Sequence, residues 1–176
     1  MAAQVIVRPA VAADLPAVAG IFEHYVRRTV TTFEETAPDV AAWRRRLDEL
    51  TGRGLPFLVA ETPEDGRVAG YAYAAPWRPK PAYRHTVEDS IYVAPGRTGR
   101  GLGRALLGAL LERSGEAGAR QMIAVIADTG DDASAALHAR FGFVPAGRLS
   151  RVGFKHGRWV DTVLMQRELD GPPRQA

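Results

Sequence analysis

The chain contains no cysteine, so structural disulfides, thiolate metal sites and a cysteinyl acyl-enzyme are excluded. It lacks any apolar run long enough to span a bilayer, and its first residues show no basic stretch followed by an apolar one. Neither sign of charge dominates. Lys and Arg number 23 against 20 Asp and Glu, a formal net charge of +3, so charge does not demand a nucleic-acid partner. The four histidines are scattered, without the spacing of a metal site. Internal repeats and low-complexity segments are missing. So are two familiar phosphate-binding patterns: GxxxxGK[ST] is absent, and Leu106 stands where Gly101-Leu102-Gly103 would need a further glycine to complete GxGxxG. These absences lead us to expect a cytoplasmic protein without metal, membrane or nucleic-acid partners.

What is present is one domain's worth of chain. Its 176 residues, 46% apolar and 24% charged, suffice for a single full core, expected over residues 1–170 with a frayed tail at 171–176. Gln4–Arg8 alternates as a short strand closed by Pro9. Asp14 is expected to cap a helix to about Arg28, with Pro16 in its first turn and a stripe of Leu15, Val18, Ala19, Phe22 and Val26. Residues 29–38 read as a loop carrying one large apolar side chain, Phe33. A second helix starts at Pro38-Asp39, runs through Trp43, Leu47 and Leu50, and ends at Gly52 and Gly54. Phe57–Glu61 and Val68–Ala74 form paired strands across a turn at Pro63–Gly66, and the Pro-rich 76–85 is an irregular excursion. Further on, the continuous apolar run Gln121–Ala127 has the look of a buried parallel strand. Asp128–Asp132 is a polar turn and Ala133–Phe141 a short helix ended by Gly142. Val144–Phe154 and Trp159–Leu169 pair across Lys155–Arg158. The order β, α, α, β, β, β, α, β, α, β, β describes an α/β domain with a central mixed sheet flanked by helices.

The organising stretch is Val87–Leu111, VEDSIYVAPGRTGRGLGRALLGALL, a strand, a basic glycine-rich turn and an amphipathic helix. Pro95 and Gly96 stop the strand. Gly99, Gly101 and Gly103 free the turn, and Leu102, Leu106 and Leu110 with Ala105 and Ala109 form the helical stripe. A helix start carries unpaired N–H groups and partial positive charge, to which Arg97, Arg100 and Arg104 add full charges. Either this is a glycine-rich connection with solvated arginines, or it holds a phosphate-bearing cofactor; we infer the second. Alternation puts Glu88, Ser90 and Tyr92 on one face of the strand. From the residues alone, Glu88 is a solvated carboxylate or a base, and His138 a packed helix-edge histidine or an acid–base group. Arg78 and Lys80 are a solvated basic loop or partners for an anion.

Arg-Thr-Gly-Arg-Gly-Leu-Gly between a strand and a helix resembles the acetyl-CoA pyrophosphate loop of the GNAT N-acetyltransferases, [QR]xxGx[GA], with Thr98 at the first position and Arg97 beside it. The element order resembles the GNAT acyl-CoA N-acyltransferase fold from end to end. Four segments resemble the phosphinothricin and methionine sulfoximine acetyltransferase branch: TTFEETAP at 31–38, AAPWRPKPAYRHTVEDSIYV at 74–93, MIAVIADTGDDASAALHARFGF at 122–143 and GFKHGRWVDTVLMQREL at 153–169. The second and fourth are the specific ones.

The resemblance implies acetyl-CoA as cofactor, no metal, a homodimer, and direct acetyl transfer to the α-amine of phosphinothricin, methionine sulfoximine or methionine sulfone. It implies that Glu88 takes the amine's proton and His138 assists. It also implies that the backbone of Ile91, Tyr92 and Val93 pairs with the pantetheine arm. Thr98, Gly99, Arg100, Gly101, Leu102, Gly103 and Arg104 then surround the pyrophosphate. Asp131 stands where the branch has asparagine, so it touches pantetheine or a backbone group, and Ser134 caps its helix or meets the coenzyme. On the substrate side, Arg78 and Lys80 are the candidate anion partners. Phe33 and Tyr83 wall the pocket, and Ser90 and Tyr92 supply hydrogen bonds. Two rivals stay open. One is an acetyltransferase for another amine, a polyamine or a protein N-terminus, which the basic PWRPKPAYR segment disfavours. The other is a non-catalytic acetyl-CoA-binding module, which would not need Glu88.

Overall fold

A computed structural model describes residues 5–62 and 64–171. Gln4 of the expected first strand, Pro63 of the expected turn and residues 172–176 of the expected tail lie outside them. The elements follow the anticipated order: β1 (Ile6–Pro9), α1 (Leu15–Arg28), α2 (Val40–Gly52), β2 (Phe57–Glu61), β3 (Val68–Pro76), β4 (Thr86–Val93), α3 (Leu102–Glu116), β5 (Gln121–Ala127), α4 (Ala133–Arg140), β6 (Val144–Lys155) and β7 (Arg158–Glu168). They build one seven-stranded sheet in the order β1-β2-β3-β4-β5-β7-β6. Every pairing is antiparallel except β4 with β5.

Both faces of the sheet are covered at β2 and β3, which is why β2 reads as unbroken apolar sequence rather than as an alternation. Phe57 and Val59 of β2, with Tyr71 and Tyr73 of β3, pack against Leu15, Val18, Ile21 and Phe22 of α1 and Trp43, Leu47 and Leu50 of α2. The intervening residues Leu58, Ala60, Ala72 and Ala74 face α3, which buries Leu102, Leu106, Leu107 and Leu110. Aromatics thus fill the α1/α2 side. Alanines on the other side let α3 lie close to the sheet, and a Cβ on Gly70 would already stand 3.1 Å from Leu106 Cδ1.

Local signals set the element ends. Asp39 caps α2, its Oδ1 accepting from Ala42 N at 2.7 Å. Asp14 does not do the same for α1. Its carboxylate turns back to accept from Val11 N at 2.8 Å and from both Arg8 Nη atoms at 2.8 Å. The hydrogen bonds from Arg8, more than any other influence, hold the Asp14 carboxyl below its usual range. A charge-assisted pair with a guanidinium outweighs one backbone N–H, so the expected cap becomes an anchor between β1 and α1. The β6–β7 hairpin closes on His156 and Gly157, both at positive φ (50° and 75°), the conformation of a tight two-residue hairpin turn.

β5 departs from expectation. It pairs in parallel with β4 over only Thr86↔Gln121, Val87↔Met122 and Glu88↔Ile123. Beyond that point β4 continues alongside β3 as far as Gly70↔Val93, and β5 alongside β7 as far as Ala127↔Thr162. The two central strands part company. The second half of β5 borders a gap, and Val125 is exposed instead of buried.

Candidate active site

The gap opened by β4 and β5 is part of a cavity of about 610 Å³ that reaches both layers of helices. Glu88 stands on the last shared rung. Strand alternation sends Glu88, Ser90 and Tyr92 to the α1/α2 side, where the Tyr92 ring lies 5.0 Å from those of Phe22 and Tyr25. Asp89 goes to the α3/α4 side, and there its Oδ2 lies 2.8 Å from His138 Nε2 in a fully buried contact. Two chemically different environments therefore meet at one point of one strand.

Glu88 is part-buried, and its carboxyl is pushed above the usual range first by burial, then by the negative charge of Asp89, with Arg78 opposing. A carboxylate held in this way is a stronger base than one in water, and it lies on the path between the two sides of the sheet. His138 is less free than its place on α4 implied. Its Nδ1 lies 2.7 Å from the carbonyl oxygen of Ser134, which only accepts, so Nδ1 carries a proton and donates. Burial lowers the His138 pKa, but the hydrogen bond and charge of Asp89 and the Ser134 carbonyl overcome it and the net shift is upward. With Nδ1 donating to Ser134, Nε2 is left facing Asp89 Oδ2, and the upward shift favours the protonated ring.

The α1/α2 side is walled by residues 31–34 of the loop between the two helices. Two contacts with β6 hold that loop. The Phe33 ring lies against Gly153, where any Cβ would stand 2.4 Å from a ring carbon. Lys155, 3% exposed, donates from Nζ to the Thr32 carbonyl at 2.7 Å. Burial lowers the Lys155 pKa, against the opposing charges of Glu35 and Glu34.

On the other side, the glycine turn leads into α3 with Gly99 at φ 75° and Gly101 at φ 81°, the left-handed region that favours glycine. Gly101 is the residue before the helix, and no side chain caps the helix start. Arg100 and Arg104 are exposed beside it, whereas Arg97 is engaged by Asp65 at 3.2 Å. Leu102 contributes its backbone to the helix start while its side chain belongs to the core. Asp131 uses its carboxylate on a backbone group, accepting from Ala133 N at 2.9 Å. Ser134 lies in the first turn of α4, and Asp132, the residue before that helix, makes no side-chain cap.

Most of the expected site residues therefore converge. Phe33, Glu88, Ser90, Ile91, Tyr92, Val93, Thr98, Gly103, Asp131, Ser134 and His138 all line the one cavity. Gly99, Arg100, Gly101, Leu102 and Arg104 are not in its lining; they form the turn and helix start beside Gly103. Arg78, Lys80 and Tyr83 do not line it either. They line a second cavity of about 910 Å³ at the start of β4, and Arg78 stacks on Trp77 with its Cζ 4.6 Å from the ring centroid. The charge of Arg78 nevertheless reaches Glu88. Sequence reasoning missed Asp89, Arg46, Gly153 and Thr32. A signal existed for Asp89, an acid between Val87 and Ile91 on the apolar face of the strand. Arg46, one helical turn after Trp43, lines both cavities. Among the described residues, no group of three His, Asp or Glu is placed to hold a metal.

Comparison with known proteins matches residues 19–143 to the Acetyltransferase (GNAT) family. The chain is 52% identical over 157 residues to a phosphinothricin N-acetyltransferase of Alcaligenes faecalis, covering 89% of this chain and 79% of that protein. It is 42% identical to an L-methionine sulfoximine/L-methionine sulfone acetyltransferase of Pseudomonas paraeruginosa, covering 97% of each. A crystal structure of a phosphinothricin acetyltransferase from Sinorhizobium meliloti in complex with acetyl-CoA superposes with a TM-score of 0.91 at 45% identity, covering 99% of this chain and 93% of that one.

Proposed function

Because the chain belongs to the GNAT acetyltransferase family, we propose that it moves acetyl directly to the α-amine of a small amino-acid analogue, phosphinothricin, methionine sulfoximine or methionine sulfone, with Glu88 taking the amine's proton. The protein is an N-acetyltransferase and its cofactor is acetyl-CoA. When bound, acetyl-CoA supplies the acetyl thioester and carries away the thiol. The residues present fit it. The α3 start has no side-chain cap and stands beside exposed Arg100 and Arg104, a setting for a pyrophosphate. The β5-facing edge of Ile91–Val93 has no strand neighbour, which leaves backbone for an extended arm. Thr98, Asp131 and Ser134 lie along the same cavity.

One observation carries the catalytic assignment: Glu88, with its raised pKa, stands on the rung where the two strands part. An α-amine is largely protonated near neutral pH and attacks only after losing a proton. Glu88 faces the α1/α2 side, so the amine is received there, among Phe33, Ser90 and Tyr92. The cofactor residues of α3 and α4 lie across the gap. His138, held by the Ser134 carbonyl and by Asp89 with its pKa raised, lines the same cavity and assists the acid–base work from the cofactor side. The proposal includes a homodimer. It is supported by exposed apolar side chains on β6 and β7, including Val152, Phe154 and Trp159, which are 51–55% exposed.

Thiol release measured with acetyl-CoA and a panel of amines tests this reading. Phosphinothricin, methionine sulfoximine and methionine sulfone should be turned over faster than polyamines or peptide N-termini. Preference for a polyamine would overturn the acceptor assignment.

A further inference from the structure

The cavity that holds Glu88 has a single arginine or lysine among the described residues that line it: Arg46 of α2. Its Nη1 donates to the Tyr73 hydroxyl at 2.7 Å, and its Cζ lies 5.4 Å from the Tyr73 ring and 5.8 Å from the Trp43 ring. Among the described residues no carboxylate meets it, in contrast to Arg8, Arg97 and Arg148, which are all paired with acids. Arg46 is thus oriented by two aromatic rings and a hydroxyl, with donors left over and no acid to neutralise it. That is how a protein presents a guanidinium to an anion from outside.

The sheet register says which anion. Ala75 faces Glu88, and Tyr73, which holds Arg46, faces Ser90. Two residues along a strand is about 7 Å, so the strand position that anchors Arg46 lies about that far from the one opposite Glu88. A glutamate-like amino acid separates its α-amine from its side-chain oxyanion by roughly 5 Å at standard bond lengths. Its α-carboxylate, in contrast, lies one carbon from the amine.

We propose that Arg46 is a specificity residue that binds the oxyanion at the far end of the acceptor's side chain while the amine sits at Glu88. This rests on the α-amine acceptor reading above and names what that reading leaves open: how a side chain ending in a phosphinate or carboxylate anion, or in the partly negative oxygens of a sulfone, would be told from an apolar one. Tyr73 is then a positioning residue, because its hydroxyl fixes the fork of Arg46.

The test is steady-state kinetics with phosphinothricin and with methionine, which has no side-chain oxyanion, for the wild type, Arg46→Ala, Arg46→Lys and Tyr73→Phe. Arg46→Ala should raise the phosphinothricin KM, relative to that for methionine, by about 10- to 100-fold, the effect of a lost charge-assisted hydrogen bond. Arg46→Lys should recover part of the loss, and Tyr73→Phe should show a smaller change in the same direction. Thermal protection by acetyl-CoA should persist in all variants. Should it vanish in Arg46→Ala, the Lys variant, which keeps the charge and the bulk, decides the matter. An equal rise in KM for both acceptors, or no change in their ratio, overturns the role of Arg46 and leaves the acceptor reading standing. A wild-type enzyme that acetylates neither amino acid overturns the acceptor reading and the inference with it.

Discussion

Glu88 and Asp89 are neighbours in the chain but face opposite sides of the sheet. Glu88 opens toward α1 and α2, and Asp89 is locked 2.8 Å from His138 on the side of α4. The alternation of a β-strand separates a half-buried carboxylate from the Asp89–His138 contact with no residue between them.

That separation makes Glu88→Gln a test with two opposite outcomes. Activity should fall by roughly 10²- to 10⁴-fold in kcat, the usual worth of a positioned acid–base group. Stability should move the other way. A carboxyl whose pKa is raised in the fold favours folding below its unfolded pKa and loses that contribution as pH rises through the folded value. At neutral pH the ionised Glu88 is therefore a cost that glutamine removes. Calorimetry at pH 7.5 should give a higher Tm for the variant; a lower Tm together with near wild-type kcat would refute the assignment.

For His138 the sign puts the benefit on the acid side. Its pKa is raised in the fold, so the pair with Asp89 stabilises fully below the unfolded histidine pKa and fades as pH climbs through the folded value. Asp89→Asn removes the anion and should destabilise by roughly 1–3 kcal/mol, the cost of depriving a buried group of its partner. Denaturant titrations at about pH 6 and pH 9 should show the larger loss at the lower pH. A loss independent of pH would mean that His138 is neutral in the fold.

Gly153→Ala should reach the active site through Phe33. Its Cβ would stand 2.4 Å from the ring, so the ring must move. We expect a rise in acceptor KM with acetyl-CoA affinity unchanged, and a stability loss of about 1–3 kcal/mol from overpacking. Trimming the ring in Gly153→Ala/Phe33→Leu should restore part of the stability. If the double variant were no more stable than the single one, the two residues would not be in conflict.

Gly101→Ala probes the cofactor side. No atom would touch the new Cβ, so the penalty is that of a left-handed backbone at φ 81°, roughly 1–2 kcal/mol. Isothermal titration should show weaker acetyl-CoA binding, because the alanine draws the backbone out of the conformation that starts α3. The acceptor KM at saturating acetyl-CoA should change little. Unaltered acetyl-CoA affinity would separate this turn from the pyrophosphate.

The sequence by itself determined the elements, the glycine turn ahead of α3 and the face of β4 that carries Glu88, Ser90 and Tyr92. Each of these depends on periods of two or 3.6 residues, or on glycine's access to positive φ, and such local rules are written in neighbouring residues. Tertiary structure alone decided the rest. The gap exists because β4 stays with β3 while β5 stays with β7, a competition between pairings that no single strand records. Asp14 left its helix because Arg8, bonded also to Glu61, offered a stronger partner than a backbone N–H. His138 meets an acid 49 residues away, and Lys155 a carbonyl 123 residues away. The excursion places Arg78 and Lys80 in the lining of a second cavity, whereas Arg46 of α2 lines both. Which cation lines a cavity depends on how helices pack over a sheet, and packing is settled by the sum of many distant contacts.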